Sequence, residues 1–350
     1  MRMRSGSRVK EFVGRRARLL RALVLIPVLL GLVPANMASA QAVIPQFTQI
    51  NQPGFGDYQN SYAWSMQWFN GKLYVGTNRN FACVEQATIA FYKLGQYTQF
   101  PAIGQVCAPN QYDLNLQAEI WQYDPGTTQW TRVLQSPNDI PIPNQPGKFV
   151  SEDIGFRNMV VMNDPSSGMP TLFVAGTTSR EYIPGIPGPR LLRSTDGVRF
   201  TAIPINPGTI SDWVSTSDPV VSFRAMAVYN GNLYVTASPS IVGDGVLMRV
   251  DNPFAASAGD VHFTQVSPSN IHVYELSVFN NQLYLGNGDV KNGFSVQRTT
   301  ATGSPFTFTD VVTNGGGRGA AMQSVVSMHV FNNHLLSLIH ISEPTRQAEI

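Results

Sequence analysis

Residues 66–76 read Met66-Gln-Trp-Phe-Asn70-Gly71-Lys-Leu73-Tyr-Val-Gly76: an apolar stretch, a two-residue turn and a second apolar stretch. Asn-Gly between two apolar stretches is a strong signal for a β-hairpin, because both residues tolerate the positive φ that a tight turn requires. The pattern returns at Asn230-Gly231, Asn280-Asn281 and Asn332-Asn333, and with a longer turn between Met159–Met162 and Leu172–Gly176. The sequence therefore predicts one hairpin used repeatedly.

A second hairpin follows each of the first four copies. It ends in a four-residue motif: an aromatic residue, then Thr, then any residue, then Val or Ile. The motif occurs at Trp130–Val133, Phe200–Ile203, Phe263–Val266 and Phe308–Val311. Each repeat then contains about four strands, and an aligned leucine recurs at positions 73, 172, 233, 283 and 335. Four-stranded units about 50 residues apart are typical of β-propeller blades.

The predicted fold is all-β, a β-propeller of four-stranded blades that spans residues 41–335. We expect blades at about 58–138, with an insertion at 78–117, and at 148–206, 217–268, 270–313 and, in part, 320–335. Phe47-Thr48-Gln49-Ile50 repeats the outer-strand motif before the first hairpin, which predicts an N-terminal strand that closes the ring in the last blade. Because the repeat stops at Leu335, the propeller is expected to be C-terminally truncated after four complete blades and the start of a fifth.

Residues 336–350 resemble the translation of a sequencing adapter. The similarity lies in Leu-Ser-Leu-Ile-His-Ile-Ser-Glu-Pro-Thr-Arg, residues 336–346. We expect this segment to be an artefact, so His340, Glu343 and Arg346 are given no functional role.

Residues 1–40 are predicted to be a signal peptide. Eight basic residues precede or flank an uncharged apolar run at 22–33, and Ala38-Ser39-Ala40 forms a cleavage site before Gln41. The run is shorter than the roughly 20 residues that cross a bilayer. We therefore expect general secretory export to the periplasm or the medium, with no transmembrane helix after cleavage.

Composition excludes several classes of protein. The chain has 350 residues, of which 43% are hydrophobic and 13% charged, and this balance excludes a disordered or coiled-coil protein. The formal charge is +2, but the basic residues concentrate in the leader, and the remainder is acidic. A nucleic-acid partner is therefore not expected. The partner is predicted to be a glycan, a peptide or an envelope protein, and the chain is expected to be monomeric.

Cys83 and Cys107 are the only cysteines, and both lie in the predicted insertion. An even pair in an exported protein indicates a disulfide. Free thiols or half of a metal site are the alternatives, although two cysteines without a nearby histidine make a poor zinc site. The scattered histidines show no metal-ligand spacing, so no metal and no cofactor is expected.

Two hairpins resemble known propeller motifs. Trp121-Gln-Tyr123-Asp124-Pro125-Gly-Thr-Thr-Gln-Trp130 resembles the kelch repeat, in which a Tyr-Asp-Pro turn precedes a Trp. Arg193–Phe200 resembles the Asp-box hairpin of sialidase-like propellers. The resemblance implies a kelch-type or galactose-oxidase-like bacterial β-propeller, and it transfers no active-site residue to this chain.

The first strands of the repeats align on Met66, Met159, Met226, Leu276 and Met328. The candidate ligand site consists of the residues two positions earlier: Trp64, Arg157, Arg224 and Tyr274, with Val326 in the fifth copy. If the blades are radial, these side chains recur at one height near the central channel. Two guanidiniums and two aromatic rings suit a carboxylate, a phosphate or a sugar. The alternative is structural, with each arginine paired to an acid such as Asp153 or Asp218, or to a carbonyl.

The sequence favours a module that binds a ligand, glycan or protein, with no catalytic residue identified. The alternative is a secreted carbohydrate-active enzyme, sialidase-like or another glycosidase or lyase, that uses the channel mouth. Tyr274, Glu275 and Asp153 can be given sialidase-like roles, although adjacent strand residues such as Tyr274 and Glu275 point to opposite faces. A glycosidase is expected to place two carboxylates about 5 to 10 Å apart in one pocket.

Overall fold

A computed structural model describes residues 47–101, 105–205, 220–240, 245–268, 271 and 273–341. The chain divides into two compact units, Met1–Thr48 and Gln49–Ile350, and the description below concerns the second. The predicted signal peptide, the Ala40/Gln41 cleavage site and Asp218 lie outside the described residues.

The structure is a β-propeller built from antiparallel four-stranded blades. The first blade contains β1 (Asn60–Phe69), β2 (Lys72–Arg79), β3 (Glu119–Asp124) and β4 (Gln129–Gln135), and a short ribbon of β5 (Ile140–Pro141) and β6 (Phe149–Val150) follows it. The second contains β7 (Gly155–Asn163), β8 (Pro170–Thr177), β9 (Leu191–Ser194) and β10 (Thr201–Ala202). In each blade the strands pair in sequence order.

The third and fourth blades repeat this arrangement. The third contains β11 (Ser222–Tyr229), β12 (Asn232–Ser238), β13 (Val246–Asp251) and β14 (His262–Gln265), and the fourth contains β15 (Glu275–Phe279), β16 (Gln282–Gly286), β17 (Val296–Thr299) and β18 (Thr309–Val312). A short helical turn, α2 (Asn314–Gly317), precedes β19 (Met322–Phe331) and β20 (His334–Ile341) of the fifth unit. The first strands of the five units, β1, β7, β11, β15 and β19, are called the inner strands below.

The predicted hairpin turns are confirmed. Asn70 and Gly71 have φ of 49° and 74°, and Asn230 and Gly231 have φ of 47° and 73°. Phe69 pairs with Lys72 and Tyr229 pairs with Asn232, so each turn contains two residues. Positive φ at both positions matches the twist of the turn to that of the strands, which is why Asn and Gly occupy it.

Apolar side chains of the second strands fill the space between blades. Tyr74, Phe173 and Tyr234 are almost completely buried, and each belongs to a separate apolar cluster that includes residues of a neighbouring blade. Single bridges, Asn78 with Gly155 and Thr177 with Ser222, join the first three blades. This packing holds the inner strands side by side around the centre.

The insertion in the first blade contains a helix that the sequence reading did not anticipate. Helix α1 (Phe81–Phe91) follows β2, and the disulfide Cys83–Cys107 joins it to the returning loop, with a Cα–Cα distance of 5.5 Å. The expected pairing of the two cysteines is therefore present. Phe81 contacts Trp64 edge-to-face at a centroid distance of 5.7 Å, so α1 abuts the first inner strand.

The two ends of the described chain differ from the expected strand pattern. Residues 47–50 form no strand, and the Ile50 carbonyl accepts a hydrogen bond from the Trp130 indole at 2.8 Å. A strand requires a hydrogen-bonding partner, and no strand of the described residues pairs with residues 47–50. Strand β20 continues past the expected boundary at residue 335 to Ile341, because Leu336–Ile341 pairs with β19.

No helix in the described ranges is long and apolar enough to cross a membrane.

Candidate functional site

A central cavity of about 330 Å³ lies where the inner strands meet. All five inner strands contribute to its lining, through Trp64–Met66, Arg157–Met159, Arg224, Glu275 and Val326–Met328. Three successive residues of one strand line the cavity in three of the five units. A regular strand cannot do this, since its side chains alternate between faces.

Irregular pairing explains how successive residues reach the cavity. The register between β1 and β2 shifts between Ala63 and Ser65, and the register of β7 shifts between Phe156 and Asn158. Trp64 and Arg157 are the extra residues at these positions. Arg224 lies within the shift between Phe223 and Met226 in the third blade. A β-bulge redirects a side chain, and here bulges turn Trp64 and both arginines towards the centre.

The two arginines are each stacked on an aromatic ring. The Arg157 guanidinium lies over the Trp64 ring with its carbon 4.5 Å from the centroid, and that of Arg224 lies 3.4 Å from the Tyr274 centroid. Arg224 Nε also donates to the Tyr274 carbonyl at 2.9 Å. Stacking restricts both side chains and the hydrogen bond restricts Arg224 further, so that two positive charges are held at one cavity.

Glu275 is a carboxyl group in the same cavity. Burial raises its pKa to about 7, while the Leu276 amide, which donates to Glu275 Oε1 at 3.0 Å, and the charges of Arg224 and Arg157 lower it. The side chain keeps some exposed surface within the cavity although protein surrounds it. At neutral pH the group therefore changes charge, and the cavity becomes more positive as pH falls.

Arg157 is strongly affected by its surroundings. Burial lowers its pKa to about 9, the charge of Arg224 lowers it further, and Tyr274 and Glu275 act in the opposite direction. The group remains protonated at pH 7. An incoming anion would offset the unfavourable charge between Arg157 and Arg224, which is a physical reason for this cavity to take a negative group.

The structure brings Trp64, Arg157 and Arg224 to the cavity, with Tyr274 beneath Arg224 rather than in the lining. Val326 also lines it. Asp153, considered as a partner of these arginines and as an acid, lies elsewhere: it is fully buried and bound by Arg190, with Arg190 Nε donating at 3.2 Å. The carbonyl contact of Arg224 belongs to the structural alternative.

Polar residues that the sequence analysis did not single out also line the cavity: Ser65, Asn158 and Ser327. Each stands one position before the aligned Met of its strand, as Glu275, which was considered only for a sialidase-like role, stands before Leu276. The signal was their polarity in an otherwise apolar strand, but simple alternation assigns them to the opposite face from Arg157 and Val326. The bulges of β1, β7 and β19 place both positions of those strands in one cavity, whereas β15 pairs without a register shift and only Glu275 lines the cavity.

Chemically, the arrangement offers two fixed guanidiniums, one titratable carboxyl and small polar groups. Forked hydrogen bonds from arginine suit a carboxylate or a phosphate. Within the part of the chain that the structure describes, no group of three or more His, Cys, Asp or Glu side chains is placed to hold a metal ion.

No protein-family model and no curated protein sequence matches this chain. Among solved structures, the chain is similar to an α-L-arabinofuranosidase from Clostridium thermocellum, with 9% identity, a TM-score of 0.42, and coverage of 79% of this chain and 80% of the other. It is similar to an exo-β-1,3-galactanase from Phanerochaete chrysosporium, with 8% identity, a TM-score of 0.41 and coverage of 79% and 55%. A GH43 β-1,3-galactosidase has 10% identity, a TM-score of 0.41 and coverage of 80% and 85%.

Proposed function

We propose that the central cavity binds the carboxylate of an acidic saccharide, such as a uronic or sialic acid residue. The supporting observation is the pair of arginines, Arg157 and Arg224, that face one cavity from different blades, each stacked on a ring. Two guanidiniums held in place bind a planar carboxylate with little loss of side-chain entropy on binding.

The remaining lining favours a sugar as the carrier of this carboxylate. Asn158 and Ser327 provide an amide and a hydroxyl, which can both donate and accept hydrogen bonds with sugar hydroxyls. Glu275 adds a negative charge when it is ionised. The summed charge of Arg157, Arg224 and Glu275 therefore lies between +1 and +2. A monoanion matches that charge better than a phosphate dianion does.

The test is calorimetric titration of the full chain with digalacturonate and with sialyllactose, and with lactose as the neutral control. We expect at least one acidic ligand to bind, lactose not to bind, and Arg157→Ala to weaken affinity by about tenfold or more. Arg224→Lys keeps the charge, loses the fork and should also weaken binding. Arg298→Ala, at an exposed arginine of the fourth blade, is the matched control. Unchanged affinity in a folded Arg157→Ala protein would contradict the proposal.

A second candidate is glycoside hydrolysis, with Glu275 as the general acid. Its pKa of about 7 keeps a substantial protonated fraction at neutral pH, as required of a group that donates its proton to the glycosidic oxygen. Among the described lining residues, however, Glu275 is the single carboxyl group, whereas hydrolysis by the usual route uses two. This difference places binding ahead of catalysis.

The two candidates separate in one experiment. If the cavity is catalytic, the chain releases nitrophenol from an aryl glycoside panel, and Glu275→Gln abolishes release while ligand affinity persists. If it is a binding site, Glu275→Gln retains affinity and no glycoside is cleaved by either protein. Equal cleavage by both proteins would contradict the role of Glu275 as the acid.

A further inference from the structure

A second concave site lies on the outer side of the first blade, and it shares no lining residue with the central cavity. Its volume is about 640 Å³. Three aromatic rings form one wall: Phe55, Trp121 and Trp130. The other lining residues are uncharged, and they include the amides of Gln52 and Gln129.

The rings form a fixed platform. Phe55 stacks parallel on Trp121 at a centroid distance of 4.8 Å and an interplanar angle of 7°, and meets Trp130 edge-on at 5.0 Å. The indole of Trp121 donates to Glu119 at 2.9 Å, and that of Trp130 donates to the Ile50 carbonyl at 2.8 Å. Because both indole N–H groups are bound within the protein, the orientation of the rings is set before any ligand arrives.

Phe55 occupies its place at a conformational cost. Its φ of 56° lies in the left-handed region, which is rare for an aromatic residue, within the short turn Pro53–Gly56. Such strain persists where surrounding contacts impose it, and it concentrates at binding sites. In this conformation the Phe55 ring lies flat against Trp121 and lines the cavity.

Two side-chain amides of this site are available for hydrogen bonds. The side-chain amides of Gln52 and Gln129 are exposed and make no hydrogen bond to protein within the described residues. Each amide carries both donors and an acceptor. No lysine, arginine, aspartate or glutamate lines the site, so nothing in it compensates a charged ligand.

We infer that this outer site binds a neutral oligosaccharide. A pyranose ring has a face of C–H groups that buries apolar area on an aromatic ring, and hydroxyls that exchange hydrogen bonds with amides. Flat aromatic rings beside free amides, without charge, match both properties. The inference is independent of the proposed function, since it uses different residues and a ligand of different charge.

The test uses calorimetric titration of the full chain with cellohexaose, xylohexaose and mannohexaose. We expect one or more of them to bind, and Trp130→Ala to weaken that binding by about tenfold or more. Trp68→Ala is the matched control, because Trp68 is an exposed tryptophan of β1 outside the site. Circular dichroism reports whether each variant is folded.

Because removal of Trp130 also removes its bond to Ile50, a second variant is needed. Gln52→Ala with Gln129→Ala alters only exposed side chains and should weaken binding by about tenfold without unfolding the protein. Saturating digalacturonate should not displace the neutral hexasaccharide. The inference is overturned if none of the three hexasaccharides binds at about 10 mM, if Trp68→Ala weakens binding as much as Trp130→Ala, or if digalacturonate competes.

Discussion

At the scale of single residues, the tightest constraints lie where one blade meets the next. Gly197 follows Asp196 in the turn between β9 and β10, with a φ of 73°. A Cβ atom at this position would overlap the hydroxyl of Tyr74, which belongs to the first blade and accepts a hydrogen bond from Gln122. The absence of a side chain at Gly197 therefore allows the second blade to approach the first.

We expect Gly197→Ala to lower the free energy of unfolding by more than Gly231→Ala does. Gly231 has the same φ of 73° but has no atom near the added methyl group, so its substitution costs only the backbone term, about 1 kcal/mol. Gly197→Ala adds overpacking against Tyr74, a further 1–3 kcal/mol or so. Urea denaturation measures both. Equal losses would show that the blades can separate slightly without cost.

Glu275 predicts a pH dependence of stability. Its pKa is raised from 4.5 to about 7, so the native state holds the proton more tightly than the unfolded chain does. The stabilising contribution is complete below pH 4.5 and is lost as pH rises through 7. Between pH 5.5 and 8 we expect wild type to lose on the order of 2 kcal/mol relative to Glu275→Gln, as measured by denaturation. Parallel pH profiles of the two proteins would contradict this.

At the scale of elements, hairpins could be predicted from sequence and helix α1 could not. Asn70-Gly71 determines its turn locally, through the φ values that these residues tolerate. Helix α1 has no comparable local signal: Asn80 at its start has a φ of 48° and makes no side-chain capping bond. Its buried residues, among them Val84 and Ala87, and its disulfide hold it against the blade. Such tertiary contacts are not readable from a repeat pattern.

The bulges are the second feature of the elements that sequence did not reveal. Alignment predicted that Trp64, Arg157 and Arg224 share one height, and the structure places all three at the cavity. It could not predict that Ser65 and Asn158, one residue further along their strands, line the same cavity. Bulges depend on the register between paired strands, which a single sequence does not specify.

Removal of the disulfide should destabilise the insertion. The bond closes a loop with a sequence separation of 24, for which the chain-entropy model gives roughly 3 kcal/mol. Cys83→Ala with Cys107→Ala should lower the free energy of unfolding by about this amount and expose α1 to proteolysis. Reduction with dithiothreitol should reproduce the loss in wild type and leave the double variant unchanged. A double variant as stable as wild type would show that packing alone holds α1.

At the scale of the whole molecule, the repeat predicted the propeller because each hairpin has an apolar face that only a neighbouring blade can cover. It did not predict how charges pair between segments. Asp153 was a candidate partner for the cavity arginines, yet Arg190 reaches it from the loop before β9. Arg157 and Arg224 instead line the central cavity together with Glu275, and this combination exists only when strands from different blades converge.

This convergence predicts that ligand binding affects several blades together. A ligand that contacts Arg157, Arg224 and Glu275 links β7, β11 and β15, so it should slow local opening of all three inner strands at once. Hydrogen exchange with and without saturating digalacturonate measures this. We expect added protection in these inner strands, little change in the outer strands β4 and β14, and no change in Arg157→Ala. Protection confined to one blade would mean that the ligand binds a single blade surface, because a ligand seated at the centre cannot contact one inner strand alone.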